Sequence, residues 1–112
     1  MRLAVTGISS YLARTLFPLL EQDPAVEEIV GLDLKPPAFQ SAKLRFQRAD
    51  VRDPALAGRL TGCDTLVHLA FIVMPIHDEK IADDINIAGS KNAFRAAAAD
   101  RKSTRLNSSH LA

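Results

Sequence analysis

Apolar residues gather into four short runs along this chain, and each run but the last passes within a few residues into a turn or a helical pattern. The first, Leu3 to Val5, ends at Thr6-Gly7 and leads without a linker into Leu12, Leu16, Leu19 and Leu20. That spacing predicts a strand, a tight turn and a helix over about 10–22. Pro18 inside the helix removes one backbone hydrogen bond and predicts a bend near Arg14, and Asp23-Pro24 ends it. The run from Glu28 to Leu34, stopped by Pro36-Pro37, reads as a second strand buried on both faces. Leu44 to Arg48 reads as a third, followed by Ala49 to Pro54 and a short helix to about Leu60, closed by Thr61-Gly62. Thr65 to Leu69 reads as a fourth, followed by an irregular Phe71 to His77 and a long helix over 78–99. Strand and helix alternating four times predict an α/β fold with a parallel sheet and right-handed crossovers.

Composition narrows the setting. A chain of 112 residues fits one domain, which buries roughly two-thirds of the surface its unfolded form exposes. The net charge of +1, with acids and bases intermixed, gives no sign of a nucleic-acid surface or a polyanionic partner, and none is expected. A lone cysteine, Cys63, excludes an internal disulfide and suits a reducing compartment. Met1-Arg2 leads straight into a strand with no signal-peptide pattern, and no apolar run reaches the ~20 residues of a membrane span. The expected location is cytoplasmic, with no membrane partner.

The first turn is where chemistry is expected. A helix that starts this abruptly aims free N–H groups and the positive end of its dipole at the turn, which suits an anion such as pyrophosphate. Thr6-Gly7-Ile8-Ser9-Ser10-Tyr11-Leu12-Ala13 resembles the T-G-x-x-G-x-x-G fingerprint of the extended short-chain dehydrogenase/reductase family, the NAD-dependent epimerase/dehydratase group. It departs at Ser10 and Ala13, where the fingerprint has glycines. Ala13 adds one methyl to the helix–strand contact. Ser10 places a Cβ where the backbone should approach the phosphates, while offering a hydroxyl that could donate to them.

The resemblance continues in register. Asp33 lies twenty residues beyond Ala13, the distance at which an acidic side chain accepts from the adenosine ribose hydroxyls. Its charge favours NAD over NADP, and Lys35 nearby blunts that preference. Asp50-Val51 resembles the family's D-V or D-L pair beside the adenine. Val67-His68-Leu69-Ala70 resembles the V-x-H-x-A strand end under the cofactor, and Asn86 to Asn92 is similar to N-V-x-G-T-x-N in the following helix. The resemblance implies a partial Rossmann-type sheet of about four strands, order 3-2-1-4, with helices on both faces. It assigns residues 1–99 to the NAD(P)-binding half. The implied cofactor contacts are Thr6, Gly7, Ser9, Ser10, Tyr11, Leu12, Asp33, Asp50, Val51, Leu69, Ala70 and Phe71.

Structural readings stand beside these. Asp33 could be a solvated strand-end carboxylate, and Asp50 or Asp53 could cap the helix that begins near Pro54. His68 reads as a packed core histidine. His77 and His110 stand at no zinc spacing, so no metal site is expected. Cys63 reads as an inert small residue, and Gly7 to Tyr11 lacks the second glycine of a G-x-S-x-G elbow. The helix over 78–99 has apolar or small residues at Ile81, Ala82, Ile85, Ala88, Gly89, Ala93, Ala96 and Ala97, wider than one core stripe. By resemblance this implies a homodimer through that helix, with deeper burial in a complete monomer as the alternative.

The family's catalytic Ser or Thr and its Y-x-x-x-K are not present. Tyr11 is the only tyrosine, and Thr15 stands four places after it. No catalytic residue is therefore assigned, and the fragment itself is expected to be inactive. Asp100 to His110 back-translates codon for codon as a common sequencing adapter, so residues 100–112 read as a non-native tail with no strand pattern, leaving the fourth strand at a free edge. The expected function is that of the cofactor-binding N-terminal part of an epimerase, dehydratase or reductase. Its substrate would be a nucleotide sugar or a similar small molecule. Two alternatives are a non-catalytic NAD(P)-sensing module and a doubly wound domain that binds no nucleotide.

Overall fold

The computed structural model describes residues 1–70, 84–99 and 103–106. Strand β1 spans Arg2–Thr6 and helix α1 Tyr11–Gln22, followed by β2 over Glu28–Asp33 and β3 over Leu44–Arg48. After these come the one-turn helix α2 at Leu56–Arg59 and strand β4 at Thr65–His68. A π-helical turn, Asp84–Gly89, runs directly into α3 at Ser90–Ala99, and Ser103–Leu106 forms β5. Phe71 and the first part of the long helix foreseen over 78–99, with Ile81 and Ala82, lie outside the described residues.

All pairings are parallel, in the order β3-β2-β1-β4-β5. The order 3-2-1-4 read from the alternating pattern is therefore present, with one strand more. The added strand corrects the expectation that the tail carries no strand and that β4 ends the sheet. Thr65 to His68 pair in register with Ser103 to Leu106. Ladder pairing is made by backbone groups, and β4 presents a row of them at its outer edge, so a four-residue extended segment pairs there without an alternating apolar pattern.

Strand alternation divides the core between the two faces. Leu3, Val5 and Ile29 point to one face and pack with Ile8, Ala13, Phe17 and Val26 beneath α1. Ala4, Val30, Leu32 and Leu66 point to the other and pack with Leu56, Leu60, Ala93, Ala96 and Ala97 under α2 and α3. Burial of β2 on both faces matches its continuous apolar run. Helix α1 runs unbroken through Pro18. The short helix expected from Pro54 is a single turn whose N-cap, Ala55, makes no side-chain cap bond. Neither aspartate caps it: Asp53 Oδ1 accepts from Ala55 N–H (2.8 Å), and Asp50 Oδ1 from Arg52 N–H (2.9 Å).

A buried polar chain ties the sheet centre to α3. Thr6 Oγ1 and His68 Nδ1 are 2.6 Å apart, and His68 Nε2 and Ser90 Oγ 3.1 Å. Leu69 N–H also donates to Thr6 Oγ1 (3.1 Å). Thr6 and His68 have no exposed surface, so these bonds replace the water both side chains lost. His68 is the packed core histidine its apolar strand suggested, and Cys63 is likewise buried. Among the described residues, no group of His, Cys, Asp or Glu could hold a metal ion, and no helix is long and apolar enough to cross a membrane.

Candidate functional site

The carboxyl ends of β1, β2, β3 and β4 open onto one cleft of about 190 Å³, lined by Gly7, Ser10, Leu32, Asp33, Leu34, Ala49, Asp50, Val51, Leu69, Ala70 and Ile85. Its floor depends on Gly7. That residue has φ +70°, and a Cβ built there would stand 2.6 Å from the carbonyl carbon and oxygen of Leu69 and 2.7 Å from Ala70 N. No side chain fits between the turn and the end of β4, which lets the two meet. Gly7 N–H and Ile8 N–H donate to Leu32 carbonyl (2.8 and 3.3 Å), joining the turn to β2 as well.

At the mouth of α1, Ser10 is the N-cap, with extended backbone and its Oγ accepting from Ala13 N–H (3.2 Å). The oxygen is thus turned toward the helix, and the hydroxyl hydrogen is left to donate elsewhere. The backbone N–H groups of Tyr11 and Leu12, first in the helix, have no acceptor among the described residues, as is usual for an opening turn. The Tyr11 ring is 82 % exposed and does not line the cleft. Two free N–H groups, a hydroxyl and the positive end of the helix dipole suit an anion.

Asp33 stands beside this turn, at the end of β2. Its Oδ2 accepts from Ser9 N–H (3.0 Å) and its Oδ1 from Leu34 N–H (2.7 Å). Both oxygens are anchored, yet each keeps a lone pair for a further donor. Ser9 is bound a second time, its hydroxyl donating to Lys35 carbonyl. Asp50 forms the third side. Arg52 meets it as a fork, Nε to Oδ1 at 3.1 Å and Nη2 to Oδ2 at 2.8 Å, and this hydrogen bonding holds the Asp50 carboxyl below its ordinary pKa.

Of the positions named from the sequence, the cleft brings together Gly7, Ser10, Asp33, Asp50, Val51, Leu69 and Ala70. Thr6 is buried beneath it with its hydroxyl turned to His68. Ser9, Tyr11 and Leu12 adjoin it without lining it, and Phe71 lies outside the described residues. The sequence reading missed Leu32, Leu34, Ala49 and Ile85 as lining residues. Their apolar character marked them as core, and only Ile85 carried a further sign, in the excess width of its helix.

No protein-family model matches the chain, and no curated protein matches it. Among solved structures it is similar to a variant of uronate dehydrogenase from Agrobacterium tumefaciens complexed with NAD. That match has 29% identity and TM-score 0.79, covering 94% of this chain and 39% of that one. It is also similar to L-threonine dehydrogenase from Phytophthora infestans, with 25% identity and TM-score 0.82 over 95% of this chain and 35% of that one. MoeE5 in complex with UDP-glucuronic acid and NAD shares the fold, at 18% identity and TM-score 0.81, over 95% and 36%. These are extended short-chain dehydrogenase/reductases of the epimerase/dehydratase type. The chain resembles that family over its described length, with the family's partial Rossmann sheet, and spans well under half the length of these enzymes.

Proposed function

We propose that this chain is the dinucleotide-binding part of an extended short-chain dehydrogenase/reductase and that it takes NAD in preference to NADP. One observation carries the reading: a single cleft at the strand ends is lined by Gly7, by the helix N-cap Ser10 beside unpaired N–H groups, and by the anchored carboxylate of Asp33. The pyrophosphate would lie against Gly7, Ser10 and the Tyr11 and Leu12 N–H groups, where dipole and donors favour it. Asp33 would accept the ribose hydroxyls through its remaining lone pairs and repel a 2′-phosphate. Asp50 and Val51 would border the adenine, and Leu69 and Ala70 the passage beneath the cofactor. The bound dinucleotide would supply hydride transfer, and these residues would hold it by its pyrophosphate, ribose and adenine. The uronate dehydrogenase variant to which it is similar is complexed with NAD, which supports the same cofactor class. In the whole enzyme the substrate would be a nucleotide sugar or a related small alcohol or carbonyl compound.

Calorimetric titration of the chain with NAD and NADP tests the proposal. A carboxylate accepting two hydroxyls makes charge-assisted bonds of roughly 1.5 to 3 kcal/mol each. Asp33→Ala is therefore expected to weaken NAD by about tenfold or more and to narrow its margin over NADP. Loss of the turn contact to Ser9 alone would weaken both dinucleotides equally, so the ratio reports the ribose role. An unchanged ratio removes Asp33 from ribose recognition, and no binding of either dinucleotide to the unaltered chain rejects the function.

A further inference from the structure

Asn92 stands on α3, outside the cleft, and spends both hydrogens of its side-chain amide on one loop. Its Nδ2 donates to Val51 carbonyl (2.8 Å) and to Asp53 carbonyl (2.7 Å), 41 and 39 residues away in sequence. Those carbonyls belong to the turn that Asp53 N–H closes on Asp50 carbonyl (2.9 Å), and Asp50 and Val51 of that turn line the cleft. A second contact supports the same turn from the same element: a Cβ placed on Gly89 would lie 2.6 Å from Val51 Cγ2, so the backbone of the π-helical turn rests directly against the Val51 side chain. Three residues before Asn92, Gly89 thus pushes on the side chain whose own carbonyl Asn92 holds. Ile85, one turn earlier, lines the same cleft. α3 and the turn before it therefore support one wall of the cleft from behind.

From this juxtaposition we infer that Asn92 is a positioning residue that sets the wall at Val51, and through it the recognition of the purine ring. The inference rests on the proposed dinucleotide reading. A side chain with two donors and the short reach of asparagine meets both carbonyls at once. Aspartate, of the same shape, has no donor and would set a negative charge against two carbonyl oxygens. Val51 and the neighbouring backbone then keep one spacing, which a base with a particular edge can exploit. A binding site keeps its geometry only where such a support fixes the contacting group.

The experiment measures the affinity of the 112-residue chain for NAD and for nicotinamide hypoxanthine dinucleotide, which differs only at the purine edge. Asn92→Ala is expected to weaken NAD by about tenfold and to bring the ratio of the two affinities toward one, with the circular dichroism spectrum unchanged. Gly89→Ala, which displaces Val51 by the other contact, should shift the same ratio. If the alanine variant at Asn92 does not fold, the Gly89 variant decides. A ratio unchanged in whichever variants fold, whether or not affinity falls for both ligands, overturns the inference and leaves Asn92 a structural clamp. Failure of the unaltered chain to bind either dinucleotide instead defeats the functional reading on which it rests, and so the two failures are distinguishable.

Discussion

Ser10 shows how one side chain meets two demands at the opening of a helix. Read from the sequence it is an obstruction, a Cβ in place of a glycine; in the structure it is the N-cap of α1, its oxygen accepting from Ala13 N–H. Its hydroxyl hydrogen is the group a phosphate would meet. Ser10→Ala removes cap and donor together and should cost about 1 kcal/mol of stability, read as a lower urea midpoint, whereas Ser10→Gly should cost only a few tenths. For NAD the two variants should agree, both binding more weakly than the parent in calorimetric titration. Tighter binding by the glycine variant would mean that the Cβ obstructs. Asp33 was legible because the length of a strand–turn–helix–strand unit is set by sheet geometry, and an acid twenty residues past Ala13 has to emerge near the turn. The contacts from Ser9 to Asp33 and to Lys35 carbonyl were not legible, since they depend on how two loops from different units approach each other.

Between elements the same division holds. β1 and β2 lie where apolar runs buried on both faces place them, whereas β3, Leu-Arg-Phe-Gln-Arg, has no buried residue and follows from its place in the alternation of strand and helix. The loop from β3 to α2 carries no such signal; Asp50 and Asp53 were read as possible caps because a helix start was expected at Pro54. The helix has one turn, its N-cap Ala55 makes no side-chain cap bond, and Asp50 is held by Arg52 instead. That pair has a pH signature. A carboxylate whose pKa is lowered in the folded state adds stability above its unfolded value of about 4, and that contribution is lost as pH falls through the lowered folded value. Because both side chains are about one-third exposed, the contribution is at most about 1 kcal/mol and screened by salt. Arg52→Ala should therefore lower the urea midpoint slightly at pH 7. The difference from the parent should vanish on acidification below the folded pKa of Asp50, and shrink in molar salt at pH 7. An NMR titration should show the Asp50 pKa moving upward in the variant; an unmoved value would mean that other donors hold the charge.

At the scale of the whole molecule, the element hardest to foresee is the strand added beside β4. Ser103 to Leu106 lacks the β-branched alternation by which strands are recognised, and lies in the stretch whose back-translation reads as adapter. It nevertheless pairs with all four residues of β4. Pattern reports how side chains are buried, whereas an edge offers backbone groups to any extended segment that reaches it. β4 carries His68 and leads into Leu69 and Ala70, so the strand that β5 covers is also the one whose end forms the cleft floor. Ending the chain after Ala99 would leave β4 with a bare outer edge and no other change to the sheet. The few backbone bonds lost, at about 1 kcal/mol net each, should lower the melting temperature on the order of ten degrees for a domain this small. Replacing 103–106 by a different four-residue segment of comparable strand propensity should recover most of that loss, because the contribution is made by the backbone. A truncated chain that melts at the parent temperature would show that β5 adds nothing to the sheet.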